Sequence, residues 1–177
     1  MGTIKQGILG GFSGKVGTVI GGNWKGISYM RSQAQHIKNP RTDAQVSQRA
    51  KFALALNFLK PMTHVLRVGF KLYANKQTAF NAAMSYTLAN AITGEYPDYE
   101  LNFASALISR GTLTSAANGA VAVADGKVTV SWEDNTGVGT AKASDKALIA
   151  LANLIKGEAI TEDGGATRSA GSQSIDI

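Results

Sequence analysis

After the helices the apolar period of the chain changes, near residue 98. Before it, apolar residues recur at helical steps: Phe80, Ala83, Met84, Thr87, Leu88 and Ala91 form one stripe. After it the period is two: Tyr99, Leu101 and Phe103 alternate with Glu100, Asn102 and Ala104. Helices followed by a run of strands define an α+β chain, not a doubly wound α/β one.

The segment before the helices is different again. Nine glycines fall in the first 26 positions. Two strand-like runs lie among them, Lys15–Ile20 and Gly26–Arg31, with 21–25 expected as the loop of a hairpin. A lone hairpin is barely stable in water, so this one must pack on the helices or pair with another chain.

Asn39-Pro40-Arg41-Thr42 marks a boundary, because Pro40 holds Asn39 extended. Thr42 and Gln45 fit a capping box, which predicts a helix from Asp43 to about Lys60. Its later turns are apolar nearly all round, so burial on several sides is expected. Lys60-Pro61 ends it, and a second helix is predicted from Met62 to about Tyr73. The third starts near Thr78, with Gly94 as its C-cap.

In the last third, Val121 and Val123, then Asp125-Gly126, then Val128, Val130 and Trp132 predict a hairpin with a type I′ turn. Short strands are expected at Glu158–Thr161, Ala166–Ser169 and Ser172–Ile177. Lys146–Ile155 suits a strand or a helix. Five or six strands fall short of the about seven of an immunoglobulin-like sandwich, so an incomplete sandwich with an open edge is expected. The expected division is a basic hairpin-plus-three-helix domain, 1–110, and a β-domain, 111–177.

Charge is distributed unevenly. Residues 1–76 hold twelve Lys and Arg against the single Asp43, a net +11. Residues 111–177 hold five basic and eight acidic residues, a net −3. A basic half attracts phosphate, and opposite ends attract each other between copies.

Motifs for chemistry are sparse. The chain has no Cys, which excludes disulfides, thiolate metal sites and a cysteine nucleophile. Gly14-Lys15 fails the P-loop pattern, because Val16 follows it and Leu9 stands at the first glycine position. His36 and His64 are too few for a zinc site. Glu133-Asp134-Asn135 lacks the calcium-loop spacing, and no nucleophile-elbow motif frames a Ser. The chain is expected not to be an enzyme, with no cofactor, metal or small-molecule substrate. No run nears the roughly 18–20 apolar residues of a membrane span, and glycines interrupt any signal sequence. Synthesis in the cytoplasm is expected, with release in a particle or filament left open.

Gly10-Gly11-Phe12-Ser13-Gly14-Lys15-Val16-Gly17-Thr18-Val19, Trp24-Lys25-Gly26, Tyr29-Met30-Arg31 and Lys38-Asn39-Pro40-Arg41-Thr42 resemble a bacterial domain-of-unknown-function family. The likeness covers nearly the whole chain and implies no activity. Chains with a similar front end look phage-like or mobile-element-associated. The Ser131-Trp132 strand is similar to the tryptophan-bearing strand of fibronectin type III-like sandwiches, and related sequences continue past the point matching Ile177.

Two functions follow as expectations. One is a structural protein that self-assembles into a filament, shell or virion-like particle. Its interaction surface would be Gly11, Gly14, Gly17, Trp24, Arg31, Pro40, Arg41 and Arg49. The alternative is a nucleic-acid binder, with Lys15, Lys25, Lys38 and Lys51 as phosphate contacts and Trp24 and Tyr29 stacking on bases.

Overall fold

A computed structural model describes residues 2–4, 7, 10–36 and 39–177. The architecture is α+β, with helices and antiparallel sheets. The chain divides into two compact units, Met1–Val46 and Ser47–Ile177. The expected boundary at residue 110 falls inside the second.

The first unit is a four-stranded antiparallel sheet in the order β1 (Thr3–Ile4), β2 (Phe12–Val16), β3 (Val19–Trp24) and β4 (Ile27–Ser32). This corrects the expected hairpin. The run 15–20 is broken by a turn at Gly17-Thr18, and the expected loop 21–25 is mostly strand. The reason is local. Gly17 takes φ +57°, which lets Val16 pair with Val19 across two residues. Lys25 and Gly26 both have positive φ, +47° and +84°, as a type I′ turn requires, and they bring Trp24 opposite Ile27. Asn23 supports that turn, its side-chain oxygen accepting from the Gly26 N–H at 3.1 Å.

The second unit begins within α1 (Asp43–Leu59). Thr42 Oγ1 accepts from the Gln45 N–H at 3.4 Å, a long version of the expected cap. Burial on several sides does not occur. Only Ala55, Phe58 and Leu59 are buried, and Phe52 stays exposed. The chain then passes through a 3₁₀ turn at Lys60–Met62, α2 (Thr63–Gly69), a second 3₁₀ turn at Lys71–Tyr73, and α3 (Ala79–Asn90). Gly69 lets the irregular segment around Ser109 press close: a Cβ there would lie 2.8 Å from Ser109 Cα, and Arg110 N–H donates to the Gly69 carbonyl at 2.9 Å. Thr78 caps α3, its hydroxyl accepting from Asn81 N–H at 3.0 Å.

The C-cap of α3 is Ala91, not the expected Gly94. Gly94, at φ +84°, instead helps turn β5 (Ile92–Thr93) back onto β6 (Glu100–Leu101). The helical core joins Ala55, Phe58, Leu59, Met62, Leu66, Phe70, Ala82 and Ala83.

The rest is antiparallel sheet. β7 (Ala117–Ala124) and β8 (Lys127–Glu133) form the expected hairpin, with Asp125 and Gly126 both at positive φ. The ambiguous run is a strand, β9 (Lys146–Asn153), paired with β10 (Glu158–Thr167). The two expected strands at 158–161 and 166–169 are thus one longer strand followed by a 3₁₀ turn at Arg168–Ala170. β11 (Ser172–Asp176) pairs with β8, giving a sheet in the order β11-β8-β7 beside the β9-β10 pair. Ala150 and Ala159 of β9 and β10 pack on the helical core, so helices and strands of this unit share apolar contacts.

Candidate interaction surface

Registers across the first sheet sort its side chains onto two faces, because paired residues point the same way and neighbours along a strand point oppositely. One face carries Ile4, Phe12, Val16, Val19 and Met30, with Gly14 and Gly21 between them. A Cβ on Gly21 would lie 2.6 Å from the Phe12 ring, so the aromatic ring lies over the bare backbone there. The other face carries the row Lys15, Ile20 and Arg31. Gly22 and Tyr29 come next, then Trp24 and Ile27. Successive rows are about 7 Å apart. The Tyr29 ring covers Gly22, where a Cβ would lie 2.8 Å from its hydroxyl.

This sheet has almost no interior. Among the described residues of the unit only Gly21 is buried. Ile4, Val16, Val19, Trp24, Ile27, Tyr29 and Met30 are exposed, Met30 by 71%. Covering one such side chain fully is worth about 1.5–3 kcal/mol. The sheet therefore keeps a substantial apolar driving force unspent.

Of the residues expected at an interface, the sheet gathers Lys15, Trp24 and Arg31 on one face, and Gly14 lies on the other. Gly17 and Lys25 sit in the two turns. Gly11 precedes β2 against Ser28, where a Cβ would come within 2.6 Å of the Ser28 Cβ. Pro40 and Arg41 are exposed ahead of α1. Arg49 and Lys51 belong to the second unit, where Lys51 Nζ stands 4.8 Å over the Tyr99 ring. Lys38 lies outside the described residues.

Sequence reading missed two features of the second unit. The first is Arg168, only 6% exposed. Its Nη1 donates to Asn135 Oδ1 at 2.5 Å, its Nη2 to the Thr114 carbonyl at 2.7 Å, and its Nε to Asp145 Oδ2 at 3.3 Å. Trp132 Nε1 donates to the Arg168 carbonyl at 2.7 Å. Arg168 lines a cavity of about 620 Å³ with Leu113, Val130, Trp132, Leu148 and Ile149. Its guanidinium is engaged by structural partners, so it holds loops together at that cavity. The second feature is an uncovered apolar face on β7, where Val121 and Val123 are 67% and 68% exposed. The alternating valines were legible; which of them would be covered was not.

The Asp134 carboxylate is tuned by its neighbour. The Thr136 hydroxyl and then the Thr136 N–H donate to its carboxylate, at 2.5 and 2.9 Å, and hold its pKa below the ordinary value. Among the described residues, no cluster of His, Asp and Glu could hold a metal ion, and no helix is long and apolar enough to cross a membrane.

No curated protein and no solved structure matches the chain. The sequence model of the DUF6266 family, described as a family of unknown function, matches residues 11–177. That span takes in every strand and helix from β2 to β11, and the chain belongs to this family of unknown function.

Proposed function

We propose that this protein is a non-enzymatic structural subunit that self-assembles, through the glycine-rich sheet, the basic helices and strand addition at the C-terminal sheets. The observation that carries this reading is the first sheet, which exposes seven large apolar side chains and buries only Gly21 among the described residues. Large apolar side chains left exposed on both faces of a small sheet support an interaction site on it. The net +11 of residues 1–76 against the −3 of 111–177 supports contacts between oppositely charged stretches of neighbouring copies.

On this reading the strands of 111–177 are a fibronectin type III-like sandwich short of strands: five stand where about seven would close it. The product would be a filament, shell or virion-like particle, phage-like in kind, made in the cytoplasm and released in assembled form.

The test is size-exclusion chromatography with light scattering over a range of protein concentration and salt. Multimers that grow with concentration are expected. A strict monomer at high concentration overturns the proposal. Trp24→Ser with Met30→Ser, one substitution on each face of the sheet, should reduce the mass while leaving the circular dichroism of the helices intact.

A second reading has its own observation. Lys15 and Arg31 share a face with Tyr29 and Trp24, a basic and aromatic surface suited to single-stranded nucleic acid. A gel shift that weakens steeply with salt would favour it.

A further inference from the structure

We propose that the outer edge of β7 pairs with β7 of a second copy, antiparallel about a two-fold axis through Ala122. The inference rests on the self-assembly reading and names one contact within it.

β7 ends its sheet, and among the described residues no strand pairs with its outer side. Its hydrogen-bonding phase follows from the turn. In a two-residue hairpin the closing pair, here Ala124 and Lys127, is hydrogen-bonded, and such pairs alternate along the ladder. Ala124, Ala122 and Ala120 therefore spend their N–H and C=O groups on β8. Val123 and Val121 direct theirs outward. These are the residues whose side chains are 68% and 67% exposed.

Edge strands normally carry a charge, a proline or an irregular end that blocks pairing. β7 reads Ala-Asn-Gly-Ala-Val-Ala-Val-Ala, with no charge and no proline. Only its first residues are irregular, where the register with β8 shifts between Ala117 and Ala120. The stretch Ala120–Ala124 is in register throughout.

A second copy of this stretch fits the edge because the stretch is its own complement. With the axis at Ala122, Val121 faces Val123 of the other copy, and the reverse pair repeats it. Both pairs bring outward N–H and C=O groups together, giving four new hydrogen bonds. The four valines share a face with Val128 and Ile175, which are buried. The new strand thus continues an apolar face that β7 leaves uncovered. No like charges meet within the two paired strands: Ala117–Ala124 carries none, and the Asp125 residues that follow it in each copy stand six positions apart along the strands, about 20 Å. The two-fold contact is isologous, so it joins two copies and closes. Propagation then falls to the first sheet.

Because the chain has no cysteine, single introduced cysteines report the register. Ala122 faces itself in a non-hydrogen-bonded pair, where Cα atoms lie about 4.5 Å apart, within disulfide range. Ala120 lies four positions from its own copy, about 13 Å. Under mild oxidation Ala122→Cys should give a cross-linked dimer at least ~10-fold more abundant than Ala120→Cys gives. Equal cross-linking at both positions, or none at Ala122→Cys, overturns the proposal. The pair Val121→Lys and Val123→Lys sets like charges opposite one another, and added to Ala122→Cys it should abolish the cross-link with the far-ultraviolet dichroism unchanged. If light scattering still finds multimers when Ala122→Cys fails to link, the β7 contact falls and the wider assembly stands. If the unmodified protein is also monomeric, both fall.

Discussion

Thr87 sits at 0% exposure in the helical core, and among the described residues its hydroxyl meets no hydrogen-bond partner. A buried unpaired hydroxyl costs about 1–3 kcal/mol. Thr87→Val keeps the shape and deletes that cost, so a gain of about 1 kcal/mol in urea unfolding is expected. Arg168 is the opposite case, a buried charge with every arm occupied. Arg168→Met takes the guanidinium away from Asp145, Asn135 and the Thr114 carbonyl together, and a loss of about 3–5 kcal/mol is expected in the same measurement. Asp134 supplies a pH signature. Its folded pKa is depressed, chiefly by the Thr136 hydroxyl. Its contribution to stability is therefore present above the unfolded pKa and is lost as pH falls through the folded one. The Thr136→Ala variant should titrate Asp134 nearer the ordinary value, read by NMR of the carboxyl carbon, and should show less acid-side loss of stability from this group.

The elements differ in how much of them could be read from residue order. The β7–β8 hairpin was legible because Asp125-Gly126 carries its own turn chemistry, and α3 because its stripe and Thr78 agree. The first sheet was legible in kind but not in register. Gly17, not the glycines at 21 and 22, makes the turn, and nothing in the one-dimensional pattern separates a glycine that turns from one that lies under a ring. Gly21 and Gly22 do the latter, beneath Phe12 and Tyr29. α1 was legible in span but not in burial, since an apolar circumference says nothing of which neighbours reach it. Lys146–Asn153 stayed ambiguous because its choice is made by β10, which pairs with it along its length. Arg168 was invisible: its partners Thr114, Asn135 and Asp145 lie 23 to 54 residues away in sequence. The ring-over-glycine arrangement makes a prediction for the sheet. Gly21→Val must displace the Phe12 ring, and amide shifts across Phe12–Ser32 should move while those of α3 do not.

For the whole molecule the question is which force dominates contact between copies, charge or apolar area. The two act on different quantities. Charge at the surface acts across a Debye length, about 10 Å at 0.1 M salt, and mainly sets how fast copies meet. Apolar contact is short-ranged and insensitive to simple salt, and mainly sets how long they stay. The basic stretch 1–76 and the acidic stretch 111–177 supply the first, and the uncovered sheet face the second. Raising sodium chloride from about 20 mM to about 300 mM should therefore slow assembly by at least ~10-fold, with the final mass little changed. Time-resolved light scattering reads both numbers in one experiment. Lys15→Glu with Arg31→Glu reverses the sign on one face of the sheet and should remove most of the salt dependence of the rate. A final mass that collapses with salt would instead make charge the main adhesive, and equal rates at both salt concentrations would deny the oppositely charged stretches any part in bringing copies together.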